Sequence, residues 1–514
     1  MTGGRHLGTV SGRSPGGVLV ESIYVDFFYV DGGKVAGFVG RVAELAALRK
    51  RLDRVEATKS AVAVAIRGRR QVGKSRLVQE FCDRANRRYM FFSATKGASQ
   101  VEAVTMFLDE IKAYAPDSSL VPDKAPGGWP DAFRILASVL PDEPSVVVMD
   151  ELPWISEQDD LFDGALQTAW DRLLSSRPVL LLLLGSDIHM MERLTSYDRP
   201  FYGRADNFVL GPLSPAETGQ ALGLRAADAI DAHLITGGLP GIIRSWPHGM
   251  APMSFLEDEC ADPAAPVFGI PESALMAEFA SPDQARRVLE AVGGGERTHA
   301  NIAAAAGGRQ GAVPSGSLSP MLNRLVHEKR VLAVDQPLSE RPGKPALYRV
   351  DDSNLRLYLA IGRAAQEQAR RGRPDAGVRL LRQRWNSWRG KAVEPLIRRA
   401  FELLATAEDF PWSDVNVVGG WWNRQFDPEV DLVGADRAPV ADRIAFAGSI
   451  KWLGTAFDHH DLAQLHRSAA QVPGFSPGEA GLVVASLSGV SDGLAESVDL
   501  VVGPEEILSA WPVA

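Results

Sequence analysis

The segment Gly68-Arg69-Arg70-Gln71-Val72-Gly73-Lys74-Ser75 fits the pattern GxxxxGK[ST] at every position. Its small residues let backbone N–H groups wrap a chain of phosphates, and the positive end of the helix that follows adds attraction. In that chemistry Lys74 reaches the outer phosphates and Ser75 ligates Mg²⁺. Further along, Val146-Val147-Val148-Met149-Asp150-Glu151 sets two carboxylates at the end of an apolar run. Asp150 suits the Mg²⁺ shell, and Glu151 suits polarisation of an attacking water. Another apolar run, Val179–Leu184, ends in Gly185-Ser186-Asp187. Ser186 there would lie beside the terminal phosphate. Arg199 and Arg204 follow, and an arginine neutralises charge in phosphoryl transfer. Arg204 is the candidate for that part, in trans if the chain forms a ring or dimer.

A second constellation lies near the C-terminus. Glu394 sits on a helical stretch, Asp431 on an apolar strand, and Lys451 at the end of another. Brought to one end of a small sheet, the carboxylates would bind Mg²⁺ and the lysine would steady a water. Ser449 stands two residues before Lys451, where a third acid would complete such a site. Glu429 is expected to face away from Asp431. Between Arg363 and Arg399 there are eleven basic residues against three acidic ones, with Trp385 and Trp388 among them. That local excess is the best candidate for a nucleic-acid surface. A face pairing with the acidic N-terminal half is the alternative. Asp458-His459-His460-Asp461 reads as a helix start with acids at its positive end rather than as a metal pair.

The elements that must position these residues alternate. Val42–Val55, Ser75–Ala85, Val101–Tyr114 and Leu161–Leu174 have helical spacing. Ala61–Ile66, Tyr89–Ser93, Ser145–Met149 and Val179–Leu184 read as strands. That order predicts a parallel sheet covered by helices over residues 37–212. Residues 213–280 read as a helical lid broken at Gly237-Gly238-Leu239-Pro240. Residues 281–355 read as a winged helix, with Leu318–His327 as its recognition helix. Its basic set is thin: Arg324, His327, Lys329 and Arg330. A module that packs on the core and relays nucleotide state is therefore favoured over a DNA reader, although nucleic acid remains a candidate partner there. Residues 356–514 read as a basic helical linker and a small α/β domain. Residues 1–36 read as a loose leader.

Several of these stretches together carry a resemblance. Phe38-Val39-Gly40-Arg41, the phosphate loop, the VVVMDELPW and LLLLLGSD runs, Tyr202-Gly203-Arg204 and Thr236-Gly237-Gly238-Leu239-Pro240-Gly241 look like the archaeal-type ATPase family. This family belongs to the AAA+/STAND branch of P-loop proteins. The resemblance implies Mg-ATP binding by residues 68–75, Asp150 and Ser186, hydrolysis aided by Glu151, and a lid whose Gly237–Pro240 segment lies near the nucleotide. It also implies that Phe38–Arg41 packs on the base. Residues 376–514 resemble the restriction-endonuclease-like fold with its PD-(D/E)xK signature, from which Ser449 departs. The expected class is thus α/β: a P-loop ATPase core with lid, a winged helix, and a restriction-endonuclease-like domain.

Composition narrows the field further. The chain has 514 residues, and at about 150 per domain it holds about three domains. A net charge of −9 excludes a uniformly basic coat. Two cysteines, Cys82 and Cys260, cannot form a disulfide framework, so an intracellular, cytoplasmic chain is expected. No apolar run approaches the roughly 18–20 residues a bilayer requires, so no membrane partner is expected.

Overall fold

The computed structural model describes residues 38–122, 127–197, 199, 201–279, 284–343 and 345–513, with the backbone of a short pairing between β1 (Val30–Asp31) and β2 (Lys34–Val35). The leader expected over 1–36 otherwise lies outside the described residues.

The N-terminal domain is built on five parallel strands. They are β3 (Val62–Arg67), β4 (Tyr89–Ser93), β5 (Ser145–Asp150), β6 (Val179–Gly185) and β7 (Ala205–Val209), in the order β4-β5-β6-β3-β7. The central strands are continuous apolar runs because both faces are covered; every residue of β5 and β6 is buried. Helices α1 (Val42–Thr58) and α2 (Lys74–Ala85) pack on one face. On the other lie α3 (Gln100–Tyr114), α4 (Trp129–Val139), α5 (Leu152–Gln158), α6 (Phe162–Ala169) and α7 (Ile188–Thr195). Ser99 and Glu102 close a reciprocal capping box at the start of α3. The fifth strand, β7, and the helices α4, α5 and α7 add to the expected alternation. β7 is short and more exposed than the central strands, so it lacks their apolar signal.

Helices α8 (Pro215–Leu222), α9 (Ala226–Thr236), α10 (Pro240–Ile243), α11 (Pro252–Glu259) and α12 (Pro266–Glu278) follow. Then come α13 (Gln284–Gly293), α14 (His299–Gly307), α15 (Ser315–Asn323) and the antiparallel pair β8 (Leu332–Asp335) and β9 (Leu347–Val350). Next are α16 (Ser353–Leu357), α17 (Arg363–Arg370) and the 31-residue α18 (Pro374–Leu404). Gly372 and Pro374 separate the last two.

The C-terminal sheet is mixed. Strands β10 (Val417–Trp422), β11 (Glu429–Ala435) and β12 (Ile444–Lys451) run antiparallel, and β13 (Gly481–Ser486) and β14 (Leu500–Val502) continue it in parallel. Helix α19 (His459–Ala469) packs on it. One apolar core runs from lid Leu222 and Trp246 through Leu289 and Leu318 to Phe401, Phe446 and Val483. The segments after β7 thus share a core with one another, apart from the two cores that flank the N-terminal sheet.

Candidate functional site

The phosphate loop leaves β3 and enters α2 directly, as its sequence demanded. Gly68 must lack a side chain: a Cβ there would come within 2.4 Å of the Leu210 carbonyl oxygen. Lys74 is buried, and its ammonium donates to the carbonyls of Gly68 at 2.8 Å and Arg69 at 3.1 Å. Burial lowers its pKa, against the opposing pull of Glu151 and Asp150. Asp150 is buried at the end of β5. One of its oxygens accepts from the Ser75 hydroxyl at 2.5 Å, and the other from the Glu151 N–H at 2.9 Å. Burial raises the Asp150 pKa, and the Ser75 hydrogen bond opposes that rise. Glu151 holds a left-handed φ of 55°. Its carboxylate accepts from the Ser186 hydroxyl at 2.8 Å, at the end of the neighbouring β6. Lys74, Ser75, Asp150, Glu151 and Ser186 are therefore brought to one sheet end.

Two cavities flank the loop. One of about 980 Å³ is lined by Phe38, Val39, Val72, Gly73, Pro240 and Arg244, so the opening loop and α10 face the same space. The other, of about 350 Å³, is lined by Arg69, Arg70, Gln71, Ser186, Arg193 and Asp352.

Arg204 is elsewhere. β7 runs parallel to β3, with Ala205 opposite Ala63 and Val209 opposite Arg67. Arg204 therefore precedes the start of that pairing, about 17 Å of strand from the end that carries the loop. A bidentate pair with Asp171, 2.8 Å at each contact, holds it there. Within its own chain Arg204 is thus tied to Asp171 and stands apart from the loop, so the part expected of it would have to be played in trans.

The segment from α13 to α16 touches the loop through residues that no motif announced. Arg69 pairs with Asp352 at 3.1 Å. Asp352 caps α16, and its neighbours Ser353 and Asn354 donate to the Leu234 and Ile235 carbonyls at the end of lid helix α9. Arg330 donates to Glu192 of α7 at 2.7 Å, and the same Glu192 oxygen lies 3.3 Å from Arg67. The tip between β8 and β9, which a DNA reader would insert in a groove, is engaged internally. The Leu338 N–H donates to Gly420 of β10 at 2.9 Å, and the Trp422 indole donates to Pro345 at 2.8 Å.

The basic stretch is also largely satisfied. Arg363 pairs with Glu290, Arg370 with Glu272, Arg382 with Glu257, and Arg389 with the buried Asp231. Arg371, Lys391, Arg398 and Arg399 pair with glutamates of their own helices. Among the described residues, Arg373, Arg379 and Arg384 are exposed and without partners. Trp385 and Trp388 are buried at 7% and 9% exposure, so they pack in the core and offer no stacking surface.

At the C-terminal sheet, Asp431 accepts from the Ile450 N–H at 2.9 Å and the Ser449 hydroxyl at 3.3 Å. Burial, then Glu394, pushes its carboxyl up to about 6. Glu394 is held by Lys391 at 3.3 Å and Arg398 at 3.4 Å. Glu429 meets Lys391 at 3.6 Å and Arg297, between α13 and α14, at 3.7 Å. Glu429 and Asp431 share a face after all: residues two apart on a strand point the same way. Lys451 is the other correction. It closes on Asp461 of α19 at 2.6 Å, and Lys391 is the lysine beside the carboxylates. Lys391 was legible as the residue one helical turn before Glu394. Asp458 caps α19 as expected of a helix start. Among the described residues, no group of three or more His, Cys, Asp or Glu is arranged to hold a metal ion by itself. Nor is any helix long and apolar enough to cross a membrane.

Residues 37–183 match the family described as an AAA ATPase domain. No curated protein matches the chain. Among solved structures it is similar to the Walker-type ATPase paby2304 of Pyrococcus abyssi, at 17% identity over 63% of this chain and 96% of that one, with a TM-score of 0.43. It is also similar to the ORC2 protein of Aeropyrum pernix in its ADPNP–ADP complexes, at 14% identity over 65% and 96%, with a TM-score of 0.40. A third is Cdc6p of Pyrobaculum aerophilum, at 14% identity over 66% and 97%, with a TM-score of 0.32.

Proposed function

We propose that this protein binds Mg-ATP at the 68–75 loop, hydrolyses it, and uses the nucleotide state as a switch. The observation that carries this is the meeting of Lys74, the Ser75–Asp150 pair and the Glu151–Ser186 pair at one end of the parallel sheet. Lys74 would exchange its carbonyl partners for the outer phosphates. The Ser75 hydroxyl and Asp150 carboxylate, hard oxygens within hydrogen-bond distance, fit Mg²⁺ and would hold it. The ion supplies charge that neutralises the phosphoryl oxygens. Glu151, steered by Ser186, would orient the attacking water. Arg204 could serve a transition state only in a second copy, after release from Asp171.

The switch reading follows the link from Arg69 through Asp352 to lid helix α9. A phosphate chain competing for Arg69 would loosen that link and free the winged helix from the loop. Glu151→Gln is expected to keep ATP affinity and to lower turnover about a hundredfold or more. Equal turnover by wild type and variant, measured as phosphate release, would remove Glu151 from the mechanism.

For the C-terminal domain, the reading favoured here is a nuclease-like sheet that binds nucleic acid without cutting it. Ser449 replaces an acid, and cations already neutralise Glu394 and Glu429. Contact would use the free Arg373, Arg379 and Arg384. Replacing all three with Ala should abolish a salt-sensitive gel shift of duplex or single strand. Plasmid cleavage in Mg²⁺ or Mn²⁺, lost on Asp431→Ala, would instead establish an ATP-regulated nuclease.

A further inference from the structure

The opening loop of such a domain is expected to pack on the base, and Arg41 lines the larger cavity with Phe38 and Val39, yet its guanidinium also engages the phosphate loop. Arg41 is 4% exposed. One terminal nitrogen donates to the carbonyl of Val72 at 3.1 Å and to that of Gly211 at 2.7 Å. The other terminal nitrogen pairs with Glu44 at 3.0 Å. The Arg41 backbone N–H donates to Glu217 at 2.7 Å, and the second oxygen of Glu217 accepts from the Ser214 N–H at 2.8 Å. Arg41 itself holds φ 63°, and a Cβ on the preceding Gly40 would come within 2.6 Å of Glu217. The guanidinium is thus fixed from several sides before it meets the phosphate loop.

The consequence lies in one peptide. The Val72–Gly73 bond is trans, so its C=O and N–H point in opposite directions. With the Val72 carbonyl drawn to Arg41, the Gly73 N–H is turned the other way, away from the guanidinium. Gly73 has φ 95° and no side chain, so the glycine side of that peptide offers no steric resistance to a flip. A flipped peptide would put a carbonyl oxygen where an anion must bind.

We propose that Arg41 is a positioning residue for phosphate. By holding the Val72 carbonyl it keeps the Gly73 N–H aimed at the phosphate chain, and through Gly211 and Glu217 it ties that setting to the start of the lid. The role rests on the Mg-ATP reading of the site. It predicts a loss specific to phosphate, whereas a base-packing role predicts a loss shared by every adenine compound.

The test is calorimetric titration of wild type, Arg41→Gln and Arg41→Lys with ADP, inorganic tripolyphosphate and adenosine. Removing a hydrogen bond that orients a charge-binding donor should weaken ADP and tripolyphosphate roughly tenfold to a hundredfold in Arg41→Gln. Adenosine binding should be unchanged. Arg41→Lys should recover part of the phosphate affinity, because an ammonium can still donate to the Val72 carbonyl. Equal losses for adenosine and ADP, or undiminished tripolyphosphate binding in a folded Arg41→Gln, would overturn the role while leaving the nucleotide site standing. If the wild type binds neither ADP nor tripolyphosphate, the Mg-ATP reading falls and takes the role with it.

Discussion

At the end of β5, Asp150 and Glu151 are met by hydroxyls and backbone N–H groups, and the nearby Lys74 gives its hydrogen bonds to carbonyl oxygens. On the C-terminal sheet, Glu394 and Glu429 are met by Lys391, Arg398 and Arg297. Both clusters combine carboxylates with a lysine at a sheet. In the first, the lysine's partners are weak acceptors that a phosphate outcompetes, and the charges are not spent on one another. In the second, each glutamate already has a cation. On the function proposed above, the first cluster would take a ligand that brings both anionic oxygens and a metal, whereas the second already holds counter-charges for its glutamates. Carboxylates at the end of a sheet are therefore a poor guide to catalysis until their counter-charges are known.

The same substitution at both clusters would test this most severely. Lys74→Ala should weaken nucleotide binding about a thousandfold or more while leaving the protein folded, because the loop loses its charge for the outer phosphates. Lys391→Ala should leave nucleotide affinity unchanged. Its lysine is 53% exposed, so the stability loss should stay under about 1 kcal/mol. Calorimetric titration and thermal melts of the two variants read both quantities. Full ATP affinity in Lys74→Ala would break the comparison at its stronger end.

The two clusters also differed in how far the sequence could reveal them. The phosphate loop is local: eight consecutive residues, a preceding strand and a following helix contain the geometry. Asp150 and Ser186 follow because parallel strands deliver their ends to one edge. The C-terminal cluster depends on register and on helix rotation. Asp431 and Glu394 stand out in the sequence, but Glu429 shares the face of Asp431 and Lys391, not Lys451, is the lysine beside them. Period-two alternation and the one-turn spacing from Lys391 to Glu394 were both available as signals. Other features had no local signal at all. The Arg69–Asp352 pair joins residues far apart in sequence, and nothing near either residue announces it. The basic stretch misled because composition counts charges without their partners, and Glu257, Glu272 and Glu290 lie on helices remote in the chain. Strand β7 was missed because an edge strand need not be apolar on both faces.

A smaller effect would sharpen the account of the second cluster. Burial and Glu394 raise the Asp431 carboxyl to about 6, whereas an unfolded aspartate titrates near 3.8. A raised carboxyl binds its proton more readily in the folded chain, so its contribution to stability is fully present below about pH 4 and is lost as pH rises through 6. At pH 8 the ionised Asp431 is a cost that the neighbouring cations only partly offset. Asp431→Asn keeps an oxygen for the Ile450 N–H and removes the charge. It should therefore melt higher than wild type at pH 8, by no more than about 3 kcal/mol of stability. The advantage should shrink toward zero as the pH falls to 5 and below. The same or lower stability than wild type at pH 8 would mean that Lys391 and Arg398 fully compensate the buried carboxylate. The cluster would then be a balanced ion network, and its likeness to the ligand-ready pair at Asp150 would be weaker still.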